Sequence, residues 1–207
     1  MTIMDELEEA RHGLETLLTD VLGRVFGVEP EILPPGPVAP GSRAATPDAD
    51  VADDAPPAYA LLAIRDDPDG GLLGVQVRLP GRLAHALAAR MFAGDEPSSD
   101  DLLDGVAELA NTLGGDVKAL LFTRSGPARL SLPSAVLGRA TGLPPARHAM
   151  PAPRDGALLP AGGDAAATTV RALVHGDVAE LTLIPHLQGC DVVWPPVLDS
   201  ELEEGLR

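Results

Sequence analysis

Residues 101–121 carry the clearest helical pattern in this chain, and they constrain its fold more than any other segment. At roughly 100° per residue, apolar side chains recur along one side of the segment, which is typical of a helix that packs against a core. A helix with one apolar side needs a second layer of structure to cover that side. The apolar stripe consists of Leu102, Leu103, Val106, Leu109, Ala110, Leu113, Val117, Leu120 and Leu121.

The opposite face of this helix has an unusual combination of side chains. Glu108 and Asn111 are three residues apart, so they project as neighbours from one patch. Gly114 and Gly115 follow, although glycine inside a helix costs about 1 kcal/mol relative to alanine. Because glycine lets another backbone come close, this face is a candidate docking surface. The alternative is that the face is only exposed to solvent and binds nothing. The polar face comprises Asp101, Asp104, Glu108, Asn111, Thr112, Gly115 and Lys118.

The rest of the chain alternates between helical and strand patterns. Gly27 and Pro30 end the first helix, and Pro133 interrupts a strand. A His-Gly-Asp turn at His175 gives the clearest hairpin signal. The pattern predicts helices at 3–26, 82–92 and 101–121, with caps for the last one at 97–100; it predicts strands at 59–65, 72–79, 129–132, 169–174 and 178–184.

Two irregular segments, residues 29–57 and 139–167, are rich in proline and alanine and poor in large apolar side chains. Neither side of these segments alone has enough apolar residues for a core, so we interpret them as insertions into one domain that spans residues 1–207. The predicted fold class is α+β, with a largely antiparallel sheet and helices packed on one face.

Composition excludes several classes of function. The net charge of −16 argues against nonspecific binding of nucleic acid or of an anionic membrane, since both need a basic surface. No apolar run approaches the roughly 20 residues of a membrane span, and the acidic start does not look like a secretory signal. We therefore expect a cytoplasmic protein.

No other motif competes with the polar helix face. Cys190 is the one cysteine and has no arginine-rich phosphate loop beside it. The five histidines show no metal-ligand spacing, so no metal site is expected, and no glycine-rich nucleotide loop is present.

The run ELANTLGGDVKALL, taken with LSLPSAVLG at residues 130–138, resembles the CheX-like chemotaxis phosphatase domain of the CheC/CheX/FliY group. That family has a Glu-x-x-Asn helix followed by a glycine, and then a strand that enters a Leu-Pro turn. The likeness extends more loosely over residues 14–185. It implies the CheC/CheX-like fold and hydrolysis of the aspartyl phosphate on a CheY-like response regulator.

The resemblance also implies roles for individual residues. Asn111 would enter the regulator's site and orient the attacking water, and Glu108 would pair with the regulator's lysine. Mg²⁺ is expected on the partner, with no cofactor bound by this chain. Contacts with the partner are expected from the surrounding face, at Asp104, Thr112, Gly115 and Lys118.

Two alternatives to this enzyme remain open. One is a non-catalytic module of the same fold that binds a response regulator or a motor-switch component. The other is a structural role in which the helix face is only solvated surface. Because several relatives of this type are homodimers, the resemblance also makes a homodimer a possible state of this chain.

Overall fold

The computed structural model describes residues 11–35, 55–65, 72–92, 96–122, 128–138 and 167–185. These residues form three helices and seven strands, which we number separately in chain order. The helices are α1 (Arg11–Phe26), α2 (Gly81–Phe92) and α3 (Ser99–Leu121). The strands are β1 (Glu31–Ile32), β2 (Ala58–Arg65), β3 (Leu72–Leu79), β4 (Arg129–Leu130), β5 (Ser134–Leu137), β6 (Thr168–Val174) and β7 (Asp177–Pro185).

Within the described residues the strands form one antiparallel sheet in the order β1-β6-β7-β3-β2-β4, and β5 also pairs with β2. The β2–β3 hairpin pairs Ala58 with Leu79 and continues without a slip along both strands. The β6–β7 hairpin turns at His175 and Gly176, both at positive φ, as a two-residue turn of the type I′ class requires. This hairpin lies between β1 and β3, so the sheet joins segments that are far apart in sequence.

All three helices cover one face of this sheet. Alternate residues of β2, beginning at Ala58, point into the core beneath them. That core consists of leucine, valine, alanine and isoleucine, and Phe26 is its one aromatic side chain among the described residues. On the opposite face Glu180 accepts hydrogen bonds from Arg78 and Arg171, at 3.3 and 2.9 Å. The predicted α+β class, with helices on one face, is thus confirmed.

The strand predicted at residues 129–132 is split in two. It ends at Leu130, and pairing with β2 resumes only at Ser134. Between them, Ser131 replaces the missing ladder bonds: its N–H donates to the Ala63 carbonyl at 2.8 Å, and its Oγ accepts the Ala63 N–H at 2.8 Å. Pro133 has no N–H to offer, and Leu132 turns outward with half of its surface exposed. The Leu-Ser-Leu-Pro run is therefore a bulge held by a serine.

Replacing Ser131 by alanine is expected to destabilise the fold by about 1–2 kcal/mol, because the buried N–H of Ala63 then has no acceptor. Urea unfolding followed by circular dichroism measures this change. Ser134→Ala, only a few residues along the same edge, is the matched control and should change stability by less than about 0.5 kcal/mol. Equal effects for the two variants would contradict the bridging role of Ser131.

Other sequence predictions differ from the structure in smaller ways. Segment 29–57 begins with β1, a strand that its composition did not predict, and β1 pairs with β6 at the sheet edge. Gly27, at φ 70°, ends α1 as expected. Several predictions lie outside the described residues: the start of the first helix at 3–10, the turn at 66–71, most of both proline-rich segments, and Cys190.

Candidate functional site

The capping segment at 97–100 starts α3 as predicted, and Ser98 is the N-cap. The Ser98 Oγ accepts the N–H of Asp101 at 3.2 Å, while the Asp101 carboxylate accepts from the Ser98 hydroxyl at 2.6 Å and its N–H at 2.8 Å. These bonds, the hydroxyl first, hold the pKa of the Asp101 carboxyl below its ordinary value. Asp101 therefore stabilises the helix start, a role distinct from binding a partner.

The centre of α3 presents the two residues on which the site depends. Glu108 and Asn111 are both exposed, whereas Leu109 and Ala110 between them are buried in the core. Within the described part of the chain, no hydrogen bond or ion pair engages the side chain of Glu108 or Asn111. Both side chains are therefore available to a molecule outside the chain.

The four predicted contact residues share this face to different degrees. Asp104 and Thr112 are exposed, and Gly115 and Lys118 are half-buried. At 3.6 residues per turn, Asn111 and Thr112 lie on opposite sides of Glu108, about 60° and 40° away. The structure thus brings all the predicted site residues onto one helix, with Glu108 near the centre of the exposed strip.

The glycine pair of α3 has two different causes. A Cβ on Gly114 would lie 2.6 Å from Leu62 Cδ2, so this glycine lets the helix pack closely on β2. A Cβ on Gly115 would meet nothing within 4 Å. Packing within the described residues therefore explains why position 114 is a glycine. It does not explain why position 115 is one, although glycine there also costs helix stability.

A groove lies along α3 on the side of Thr112. It has a volume of about 310 Å³ and is bordered by the last turns of α1 and α2. The sequence did not identify the lining residues on α1 and α2, because no helical pattern shows which helix ends meet. The lining consists of Arg24, Val25, Leu87, Arg90, Met91, Glu108, Leu109 and Thr112.

Two arginines lie on this part of the surface. Arg24 Nη2 lies 3.9 Å from Asp116 Oδ2, so it offsets one carboxylate near the polar face. Arg90 Nη1 donates to the Phe26 carbonyl at 2.5 Å and satisfies the C-terminal end of α1. A basic residue in the last turn of each helix is the sequence signal for these positions.

The side chains on this face can hold a water molecule and a cation in place. The Asn111 amide can both donate to and accept from a water molecule, and the Glu108 carboxylate can accept from a cation. Among the described residues, no group of three or more histidine, cysteine or acidic side chains is arranged to hold a metal ion. No helix in the described ranges is long and apolar enough to cross a membrane.

Comparison with known proteins gives a consistent picture. Residues 59–149, which run from the second residue of β2 to beyond β5 and include α3, match the family model described as chemotaxis phosphatase CheX. No curated protein matches the chain.

Solved structures match over most of the chain. A chemotaxis protein CheX from Desulfovibrio desulfuricans is 17% identical, with a TM-score of 0.58, over 86% of this chain and 99% of that one. A CheX from Vibrio vulnificus is 13% identical, with a TM-score of 0.54, over 83% and 92%. The structure of a CheX-CheY-BeF3-Mg²⁺ complex from Borrelia burgdorferi is 12% identical, with a TM-score of 0.55, over 84% and 96%.

At these identities the solved structures show a shared fold, and the family model adds a match in sequence that includes the Glu-x-x-Asn helix. Residues 59–149 are therefore similar in sequence to the CheX family, and the fold of the described residues is similar to that of the solved CheX structures.

Proposed function

We propose that this protein is a phosphatase that hydrolyses the aspartyl phosphate of a CheY-like response regulator. The observation that carries the proposal is the exposed pair Glu108 and Asn111, which has no partner within the described residues. The family is described as a chemotaxis phosphatase, and one similar structure is a complex with CheY. Both facts support a response regulator as the partner.

The reaction suits so small a set of residues. An aspartyl phosphate is a mixed anhydride, and its hydrolysis needs a water in line with the scissile P–O bond more than it needs a new covalent nucleophile. Phosphoryl transfer is mainly a matter of positioning and charge compensation. In the proposed complex Asn111 enters the regulator's pocket and orients that water by donating to it and accepting from it.

The charge of Asn111 and Glu108 explains their division of roles. A neutral carboxamide next to a phosphoryl group adds no repulsion, whereas an aspartate at position 111 would place a second anion there. Glu108 lies at the centre of the strip and pairs in our proposal with the regulator's lysine. Mg²⁺ held by the regulator supplies the remaining charge compensation, so this chain needs no cofactor of its own.

The surrounding residues form the proposed contact surface. Thr112 and Asp104 flank Glu108 along the helix, Gly115 leaves space for the regulator's backbone, and Lys118 adds a cation at the far end. The Arg24–Asp116 pair reduces the negative charge that an acidic regulator pocket would meet. We place the protein in the cytoplasm with its regulator, and a homodimer remains a prediction of the resemblance.

The test is the lifetime of the phosphorylated regulator. CheY-like regulators from the same genome are phosphorylated with a small phosphodonor, and phosphate loss is followed with and without the wild-type protein. We expect faster loss for at least one regulator, in proportion to the protein added. Equal lifetimes across the whole panel would refute the phosphatase, and tight binding with an unchanged lifetime would favour the non-catalytic module.

A further inference from the structure

The groove between α1, α2 and α3 has apolar walls and an open mouth. Val25, Leu87, Leu109 and Met91 line it, and its volume of about 310 Å³ accommodates one or two side chains but is small for a larger ligand. Met91 is 42% exposed, and the neighbouring Phe92 is 45% exposed. Large apolar side chains that remain exposed beside a groove are typical of a protein contact surface.

The groove is lined by two arginines, Arg24 and Arg90, against one carboxylate, Glu108, in a chain whose net charge is −16. The Arg24 side chain is 71% exposed, and its ion pair with Asp116 is long, at 3.9 Å. Such an exposed pair is weak, and Arg24 Nε also donates to the Asp20 carbonyl at 3.3 Å, which leaves the terminal nitrogens of Arg24 able to meet an incoming carboxylate. Arg90 is held by the Phe26 carbonyl, which fixes its charge at the end of α1.

The groove is continuous with the site described above. Glu108 and Thr112 line it, and Asn111 lies on the opposite side of Glu108. Asn111 is three residues from Glu108, so about 5–6 Å between their Cβ atoms separates Asn111 from the edge of the groove. A protein whose phosphorylated pocket covers Asn111 must place a neighbouring part of its surface over the groove.

We propose that this groove is the second docking point for the response regulator and that it takes an apolar side chain flanked by a carboxylate. The inference rests on the proposed function, because it uses the regulator as the occupant. Charge complementarity supports that occupant: a pocket that binds Mg²⁺ and phosphate is built from carboxylates, and Arg24 and Arg90 face such a surface favourably. The groove thus selects which regulator is bound, while Asn111 acts on the phosphate.

Measuring binding and dephosphorylation separately distinguishes docking at the groove from the action of Asn111 on the phosphate. The probe is the regulator that responds in the lifetime assay, loaded with BeF3⁻ and Mg²⁺ and titrated against the full chain. Arg24→Glu and Met91→Ser are each expected to raise Kd about tenfold or more, and the slower dephosphorylation at limiting regulator should recover as the regulator concentration is raised. The effect of Arg24→Glu should shrink as salt is added, because the contact is electrostatic.

Arg11→Glu is the matched control, since it changes the net charge equally at the other end of α1, about 20 Å away along the helix. It should leave Kd unchanged. If the wild-type protein shortens the phosphate lifetime but Arg24→Glu and Met91→Ser bind as wild type does, the groove inference is wrong and the phosphatase stands. If the wild-type protein has no effect on any regulator, the proposed function itself fails. The molecular mass in solution of the protein without regulator gives its oligomeric state. If Arg24→Glu changes that mass, the groove is an interface between two copies of this chain, and the inference is wrong.

Discussion

Replacing Asn111 by alanine is expected to slow regulator dephosphorylation by about 100-fold, towards the regulator's own rate of phosphate loss. Loss of one well-placed polar group that orients a reactant or stabilises charge typically has an effect of this size. This decrease should appear in the dephosphorylation rate measured at saturating regulator concentration. Binding of the BeF3⁻-loaded regulator should stay within about twofold, since the helix face, Glu108 and the groove are unaltered.

Two controls make this result specific to the amide. Asn111 is exposed and lies inside α3, where alanine has the higher helix propensity, so the fold should be retained or slightly stabilised. Asn111→Asp keeps the size of the side chain but adds a charge beside the phosphoryl group, and we expect it to be at least as slow as Asn111→Ala. A retained rate in either variant would show that another group positions the water.

Substituting alanine for each glycine of the pair in α3 should give opposite changes in stability. A Cβ on Gly114 would lie 2.6 and 2.8 Å from the Cδ atoms of Leu62, which is fully buried, so the end of this side chain can shift only if the core around it shifts too. Overpacking of this kind costs about 1–3 kcal/mol, so we expect Gly114→Ala to destabilise the fold by about 2 kcal/mol. Gly115→Ala adds its methyl in open space and should stabilise the fold by about 0.5–1 kcal/mol.

Urea unfolding of both variants measures these shifts, and regulator binding separates structure from function. Gly115→Ala is expected to be the more stable protein and the weaker binder, because its methyl occupies space proposed for the regulator's backbone. If Gly115→Ala is more stable and still binds the regulator as tightly as wild type, Gly115 is not part of the contact surface. Equal stability of the two variants would contradict the packing reason given for Gly114.

The elements most predictable from sequence are those whose pattern matches their burial. The period of α3 separated its buried stripe from the exposed pair Glu108 and Asn111, and the β6–β7 hairpin followed from its turn residues. The spacing within one helix also placed the polar residues on a common face, because that relation is purely local. Their roles in catalysis and binding remain predictions.

The missed features depend on contacts between distant segments. Only the three-dimensional pairing of β1 with β6 shows that Glu31 and Ile32 are a strand, since two residues carry no periodic signal. Ser131 gains its role from Ala63, which lies far away in sequence. Arg24 and Met91 meet only because two helices end beside α3. Sequence alone identified the helix face but could not show the groove next to it.

The position of the β6–β7 hairpin in the sheet has a consequence for biosynthesis. While the ribosome is still translating residues 139–167, β6 and β7 have not yet been made. One edge of β3 is then unpaired, and β1 has no neighbouring strand. Such open edges are the usual starting points of aggregation. The sheet can therefore be completed only after residue 185 has emerged from the exit tunnel, and the edge of β3 stays open until then.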